Sequence, residues 1–181
     1  KLMKIFHPKT RNMIRKSFSF NFQISKSNEI EKIEFLAKTH KANIQKLNGM
    51  PKSNDFFFNL DRFFNYGEDY LIYTALLNGN MVSSLLLFFY EDWVEYCVPV
   101  IKEEFRSMQP LSYLILKAMK DAVIYKKSKY WNWGGTWLHG QEGVYRFKKR
   151  FGAVDFKYKY HINANKDLKS LSLDKIKDIS K

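Results

Sequence analysis

Glu95 is the carboxylate in this sequence best placed to take a proton. It lies in the stretch Trp93–Ile101, where strict alternation sets Trp93, Glu95, Cys97 and Pro99 against Val94, Tyr96, Val98 and Val100 on the two faces of a strand. A glutamate in mid-strand that faces a cleft has its charged form disfavoured by burial. That raises its pKa toward the range of a general base. Cys97 shares the face but lacks a histidine partner and reads as a small core residue. His139 stands beside Gly140 in a glycine-bearing loop, in reach of a substrate, whereas His7, His40 and His161 show no metal-ligand spacing. No metal site is expected.

The remaining chemistry is cationic. Arg11, Arg15 and Lys16 cluster near a helix end, where guanidinium groups suit a phosphate or diphosphate. Lys52 sits in the loop Pro51-Lys52-Ser53, and Arg146, Lys148, Lys149 and Arg150 crowd one short helix. The 181 residues carry 31 Lys+Arg against 18 Asp+Glu, a net charge of +13. Such a balance calls for an anionic partner. Its three groups, expected to be brought toward one cleft by the fold, fit a phosphate-bearing acceptor or a tRNA better than a DNA surface. The aromatics that could stack bases fall mostly at core spacing.

Several elements must position these groups. Thr10 is placed to cap a helix from about Arg11 to Ser17, and Phe18, Phe20 and Phe22 alternate as a strand would. Asn28 is placed to cap the next helix, a stripe through Ile30, Ile33, Phe35, Leu36 and Ala37 that extends to about Leu47. Ser53 or Asn54 caps a third helix through Phe64. Strands are expected over Tyr70–Leu77, Met81–Tyr90 and Trp93–Ile101, the first two joined by the hairpin signal Asn78-Gly79. Pro110 opens the longest helix, ending near Ile124; a short strand Tyr130–Trp133, a helix from Glu142 to Arg150 and a last strand Val154–Ile162 follow. The order is α+β, a meander followed by strand–helix–strand around a mixed sheet.

Composition narrows the class further. Hydrophobic residues make up 45% and aromatics 17%, which excludes a disordered chain, and the length suits a single domain over 1–181. Residues 164–181 read as a loosely anchored Lys-rich tail. One cysteine excludes a disulfide scaffold and suggests a reducing, cytoplasmic compartment, with peripheral contact to the inner membrane face open to so basic a chain. No apolar run approaches the roughly 20 residues of a membrane span. Neither sequence nor composition sets the oligomeric state.

Three motifs then carry a resemblance. Tyr130-Trp131-Asn132-Trp133-Gly134-Gly135, followed by Gly143-Val144-Tyr145-Arg146-Phe147-Lys148-Lys149-Arg150-Phe151-Gly152, is similar to the signature of FemAB-like proteins. The stretch Lys9–Lys16 resembles the opening of the second half of such proteins, and Asn48–Ser53 before Phe56-Phe57 resembles the loop ahead of that half's second helix. The likeness runs from about residue 5 to 162. It implies a GNAT fold, a central mixed and mostly antiparallel sheet flanked by helices. Family members usually carry two such units in tandem, so the resemblance implies either the C-terminal half of a longer protein or one of the single-domain, acyl-CoA-type relatives.

The resemblance also implies a function: transfer of an aminoacyl or acetyl group to an amino group of a cell-envelope or polysaccharide precursor. It places the Phe147-Lys148 pair by the acyl-transfer site, Lys148 as an oxyanion- or phosphate-binding cation and Phe147 as a wall against water. It implies acceptor binding by Lys52, beside which Arg11, Arg15, Lys16 and His139 stand, on the residue reading above, as further substrate contacts. The acceptor would be a nucleotide-sugar or lipid-linked precursor. The acyl donor would be aminoacyl-tRNA or acyl-CoA, and no permanently bound cofactor is expected. GNAT enzymes that use acyl-CoA hold its pyrophosphate in a Gln/Arg-x-x-Gly-x-Gly/Ala loop. Here Glu104–Leu111 has no glycine, which leaves Arg106 and Gln109 as donor contacts and favours the tRNA ester. Two other readings stand beside this one: a conventional acyl-CoA-dependent N-acetyltransferase, and a non-catalytic RNA- or anion-binding module on the same fold.

Overall fold

Near-continuous apolar runs over Tyr70–Leu77 and Leu85–Phe89, followed by the alternating Trp93–Ile101, build a sheet that is buried on both faces, and helices cover each face. The computed structural model describes residues 2–136 and 142–156. Its sheet has five strands in sequence order: β1 Gln23–Lys26, β2 Tyr70–Leu77, β3 Asn80–Tyr90, β4 Trp93–Ile101 and β5 Tyr130–Asn132. The first four pair antiparallel, and β5 joins β4 in parallel. The helices are α1 Leu2–Ile5, α2 Pro8–Phe18, α3 Ile30–Gln45, α4 Asn54–Phe58, α5 Leu60–Phe63, α6 Pro110–Ile124 and α7 Glu142–Arg150, with a 3-10 turn at Glu103–Met108.

Each sheet face owns a core. On one, Phe6 and Ile14 from the N-terminal segment, Leu114, Ile115 and Ala118 of α6, and Phe151 after α7 bury Tyr73, Leu85, Leu87, Val94 and Tyr96. On the other, Ile33 and Leu36 of α3, Phe57 of α4 and Leu60 of α5 bury Tyr70, Ile72, Leu86, Val98 and Val100. The α+β order and the meander follow the hydrophobic pattern, and Asn78 and Gly79 both take the left-handed conformation that a two-residue hairpin needs.

Several local expectations need correction. Asn28 does not cap α3: the N-cap is Glu29, without a side-chain cap bond, and Asn28 Nδ2 donates to Asp61 Oδ1 and Oδ2 (3.1 and 3.0 Å). Thr10 does not cap α2: the cap is His7, whose Nδ1 accepts from Lys9 N–H at 3.2 Å, with Pro8 in the first turn. Phe18, Phe20 and Phe22 are not a strand, because α2 runs on through Phe18 and turns at Asn21 (φ 52°) before β1 begins at Gln23. The single helix expected from Ser53 to Phe64 breaks at Asn59 into α4 and α5, although Ser53 does cap it, accepting from Phe56 N–H. The regular alternation of β4 also fails. Leu86 pairs with Val98 and Leu87 with Tyr96, so Cys97 is an extra residue, a bulge. Past it, Val98 and Val100 point to the α3 side, opposite Val94 and Tyr96. Val154 and Phe156 are exposed and outside any strand; the rest of the strand expected there, His139 and the 164–181 tail lie outside the described residues.

Gly152 ends α7 at φ +90°, where a Cβ would stand 3.2 Å from the carbonyl oxygen of Ile5. This is also where His7 N–H donates to Arg150 O (2.9 Å), tying α7 to the N-terminal segment. Gly152→Ala is expected to cost about 1–2 kcal/mol from the left-handed backbone alone, and more from the contact. Urea denaturation of the two proteins measures the difference.

Candidate active site at the fork between β4 and β5

The parallel ladder between β4 and β5 lasts three residue pairs: Trp93 with Tyr130, Val94 with Trp131, Glu95 with Asn132. Beyond them β4 continues to Ile101 while the chain after Asn132 leaves the sheet, so the two strands part at Glu95. Two residues keep the parted edge of β4 from needing another strand. Asn43 of α3 substitutes for one at Ile101, donating Nδ2 to its carbonyl (3.0 Å) and accepting its N–H (3.1 Å). Pro99, two residues before and so facing the same edge, has no N–H to satisfy. A proline inside a strand was the signal in the sequence that this edge is open, and Asn43 carried none.

Glu95 occupies the corner of the fork. It is half-buried and lies, with Phe88, on the sheet face of α3 and α4. A concavity of about 230 Å³ there is lined by Phe88, Tyr90, Trp93, Glu95 and Asn132. Burial raises the Glu95 pKa above the ordinary carboxylate value, while the Lys148 ammonium and a hydrogen bond from Asn132 pull the other way. Asn132 was not singled out from sequence. Its Oδ1 accepts Gly134 N–H (2.9 Å), so one amide fixes both the carboxylate and the turn that leaves β5.

Lys148 reaches the fork from α7. Its Nζ donates to Gly134 O (3.0 Å), Gly135 O (2.9 Å) and Thr136 Oγ1 (2.7 Å), three acceptors for three N–H bonds. Burial lowers its pKa, and the nearby Glu95 charge raises it. The ammonium therefore acts first as a clamp that joins α7 to the loop after β5, with its charge felt at Glu95. Phe147, expected as a wall of the site, packs its ring against Trp133 and Phe151 (centroids 6.1 and 5.1 Å) within the core on the α6 side.

Lys52 approaches from the other sheet face. Its backbone N–H donates to His40 Nε2 (3.1 Å) and its Nζ lies 4.5 Å from the Phe56 ring centroid. Burial and then the Lys52 charge hold the His40 pKa below its usual value. Burial pushes the Cys97 thiol up to about 11, against a lowering by Lys52, so Cys97 is a protonated packing residue. The three basic groups thus do not share one cleft. Lys52 stands on the α3 side, while Arg11, Arg15 and Lys16 lie on α2 across the sheet. Arg11 donates to Phe6 O (2.9 Å), Arg15 to Asn12 Oδ1 (3.1 Å), and Lys16 is exposed.

The expected donor contacts are engaged locally. Arg106 donates through Nε and Nη2 to Glu103 (3.2 and 3.0 Å), which also pairs with Lys46 (3.3 Å). Gln109 donates Nε2 to Arg106 O (3.0 Å) and accepts from Ser112 Oγ (3.2 Å). With Pro110 first in α6, Glu103 and Glu104 ahead of it and no glycine, this helix start does not fit a pyrophosphate cradle. Among the described residues no cluster of His, Cys, Asp or Glu could hold a metal ion. Nor, among them, is any helix long and apolar enough to cross a membrane.

A mixed sheet that forks between a parallel pair, with a half-buried carboxylate at the fork, has the form that the motif resemblance implies, and comparison agrees. The family model described as acetyltransferase (GNAT) domain matches residues 9–149, and the chain belongs to that family. Among solved structures the chain is similar to FemX, at 15% identity and TM-score 0.74, over 83% of this chain and 55% of that one. It therefore spans about half the length of FemX. It is also similar to an aminoglycoside acetyltransferase from an uncultured soil metagenomic sample, solved with sisomicin (13%, TM-score 0.59, 82% of this chain and 99% of that). A predicted acetyltransferase from Clostridium acetobutylicum, solved with acetyl-CoA, aligns at 14% and 0.57, over 78% of this chain and 96% of that. These likenesses show the fold. No curated protein matches the chain.

The raised Glu95 pKa has a consequence for stability. The folded state binds this proton more tightly than the unfolded chain, so stability falls as pH rises from the unfolded pKa through the folded one. At neutral pH the charged carboxylate is a net cost. Glu95→Gln is expected to raise the melting temperature at pH 7.5, with the gain vanishing below about pH 4; melting curves at both pH values test it.

Proposed function

We propose that the chain is an N-acyltransferase that acylates an amino group of a cell-envelope or polysaccharide precursor, with Glu95 as general base. The observation that carries this is the half-buried Glu95, its pKa raised, at the point where β4 and β5 part. The motif resemblance and the likeness to FemX support the envelope-precursor class.

Glu95 accepts the proton that the amine loses as its nitrogen bonds to the acyl carbon. Asn132 holds the carboxylate in orientation, and the Lys148 clamp holds the loop 134–136 against it. The donor supplies the activated acyl carbon, whose bond to the leaving oxygen or sulfur breaks as the new C–N bond forms. Phe88, Tyr90 and Trp93 wall the cavity beside the base. Lys52, on the same α3 face of the sheet as Glu95, has its charge felt at Cys97 and is a contact for the acceptor's phosphate. The missing glycine loop and the Arg106–Glu103 pair favour an aminoacyl-tRNA ester over acyl-CoA as donor. The family's acetyltransferase description keeps acyl-CoA as the second reading.

Glu95→Gln is expected to lower turnover about 10²–10⁴-fold with muropeptide or amino-sugar acceptors. Turnover at the wild-type rate would remove Glu95 as base, and no turnover with any donor by either protein would favour the binding-module reading. Lys148→Ala removes a cation beside Glu95. It should slow the reaction and move the acidic limb of the pH–rate profile to higher pH. An unmoved limb would disconnect Lys148 from the base.

A further inference from the structure

Beside Glu95 the sheet carries a row of aromatic side chains that the helices leave open. Tyr90 on β3 pairs with Trp93 on β4, and Trp93 with Tyr130 on β5, so the three form one cross-strand row. The next row on the same face, two residues along each strand, is Phe88, Glu95 and Asn132. Elsewhere this face is buried by α3, α4 and α5, yet Tyr90 is 73%, Trp93 48% and Tyr130 51% exposed. Exposed rings gathered in one place, and not scattered singly, mark a recognition surface.

Two of the rings are braced by others. Tyr130 stacks on Trp93 with centroids 4.5 Å apart and planes at 24°, and Phe64, just after α5, meets Phe88 edge-on at 4.9 Å. Neither Tyr130 nor Phe64 lines the concavity, whose walls are Phe88, Tyr90, Trp93, Glu95 and Asn132. Charge is the independent observation. In a chain of net charge +13, the lining carries one charged group, and that group is a carboxylate. Lys148 stays out of the lining and spends its N–H bonds on residues 134–136. Lys129, next to Tyr130, is held by Asp92 at 2.7 Å. Three aromatic side chains around one carboxylate repel an anion and suit a cation.

We propose that this concavity binds the acceptor amine as its ammonium ion, against Trp93, Tyr90 and Phe88 and beside the Glu95 carboxylate. A cation within about 6 Å of a ring centroid is attracted by the negative face of the ring. Residues two apart on a strand stand about 6–7 Å apart, so one ammonium reaches Trp93 and Glu95 together. One N–H bond of the ammonium then breaks, its proton passes to Glu95, and the electron pair left on nitrogen attacks the acyl carbon. The inference rests on the acyl-transfer reading and names the charge state in which the acceptor is recognised. Trp93 sets the preference for a cationic amine, and Tyr130 is a positioning residue that acts through Trp93. The volume of about 230 Å³ is below the roughly 300 Å³ of pockets for drug-sized ligands, so it suits the amine and the short stem or ring that bears it.

The test is isothermal calorimetry near neutral pH and at constant ionic strength, with D-glucosamine and Nα-acetyl-L-lysine amide as cationic probes. D-glucose and Nα-acetyl-L-norleucine amide are their uncharged counterparts. Saturable binding of at least one cationic probe is expected, with its counterpart about ten-fold or more weaker. The tighter probe names the source of the amine, an amino sugar or a peptide side chain. Trp93→Leu should weaken binding about two- to five-fold, and Trp93→Phe less, because a ring remains. Tyr130→Leu should weaken it in the wild-type background and add nothing to Trp93→Leu. Tyr125→Leu, at an exposed ring ending α6, should leave it unchanged. Equal binding of charged and uncharged probes, no saturation by either cation, or cation binding that Trp93→Leu leaves intact overturns the proposal. The two readings fail separately. If turnover requires Glu95 while Trp93→Leu leaves the amine KM unmoved, acyl transfer stands and the ammonium site falls. If Trp93-dependent ammonium binding saturates but no donor supports turnover, the site stands and acyl transfer falls.

Discussion

The structure turns on a parallel pairing that stops after three residues. Every other neighbouring pair of strands in the described sheet is antiparallel and joined by hydrogen bonds along most of its length. At Glu95 and Asn132 that continuity ends, and the backbone of β4 is left with an edge inside the protein's own contour. An open edge must be satisfied or disarmed. Here it is disarmed by Pro99 and satisfied at Ile101 by the amide of Asn43. The bulge at Cys97 lies in the same stretch and turns β4 so that its two ends feed different cores.

A fork of this kind is useful only if its walls hold still, and the polar groups around Glu95 provide that. Asn132 serves the carboxylate and the departing loop with one amide, and Lys148 uses all three of its N–H bonds on residues 134–136. The carboxylate and the ammonium each lose hydration, and each partly restores the other's charge. For Glu95 the desolvation wins, which leaves it more basic than a surface glutamate. For Lys148 it also wins, but an ammonium with three oxygen acceptors is a structural part before it is a reagent.

The sheet also sorts the positive charge. Helices α2 and α7 meet on the α6 side and bring Arg146 and Arg150 to a cavity beside Thr10, whereas Lys52 stands on the α3 side near His40 and Cys97. These basic groups are thus divided by a wall one sheet thick. Arg106 is withdrawn from it by Glu103, so the start of α6 carries no surplus for a phosphate. Membership of the GNAT acetyltransferase family accounts for the fork.

Local pattern was enough for the elements whose reason is local. The helix α6 is announced by Pro110 and an apolar stripe, the β2–β3 hairpin by Asn78-Gly79, and α7 by its basic face and closing glycine. Glu95 was legible as a candidate because strand alternation is a property of neighbours in sequence. The misreadings arose where distant contacts decided. Phe18, Phe20 and Phe22 alternate like a strand, but their rings pack with one another and with Tyr113 of α6 (centroids from 5.7 to 6.2 Å), so the helix continues. The Cys97 bulge answers the register of β3, and Asn43 meets Ile101 across 58 residues. What the sequence determined by itself was which residues are apolar, charged or kinked. Which face each one meets, and whether a charge finds a partner, depended on pairings between segments far apart in the chain.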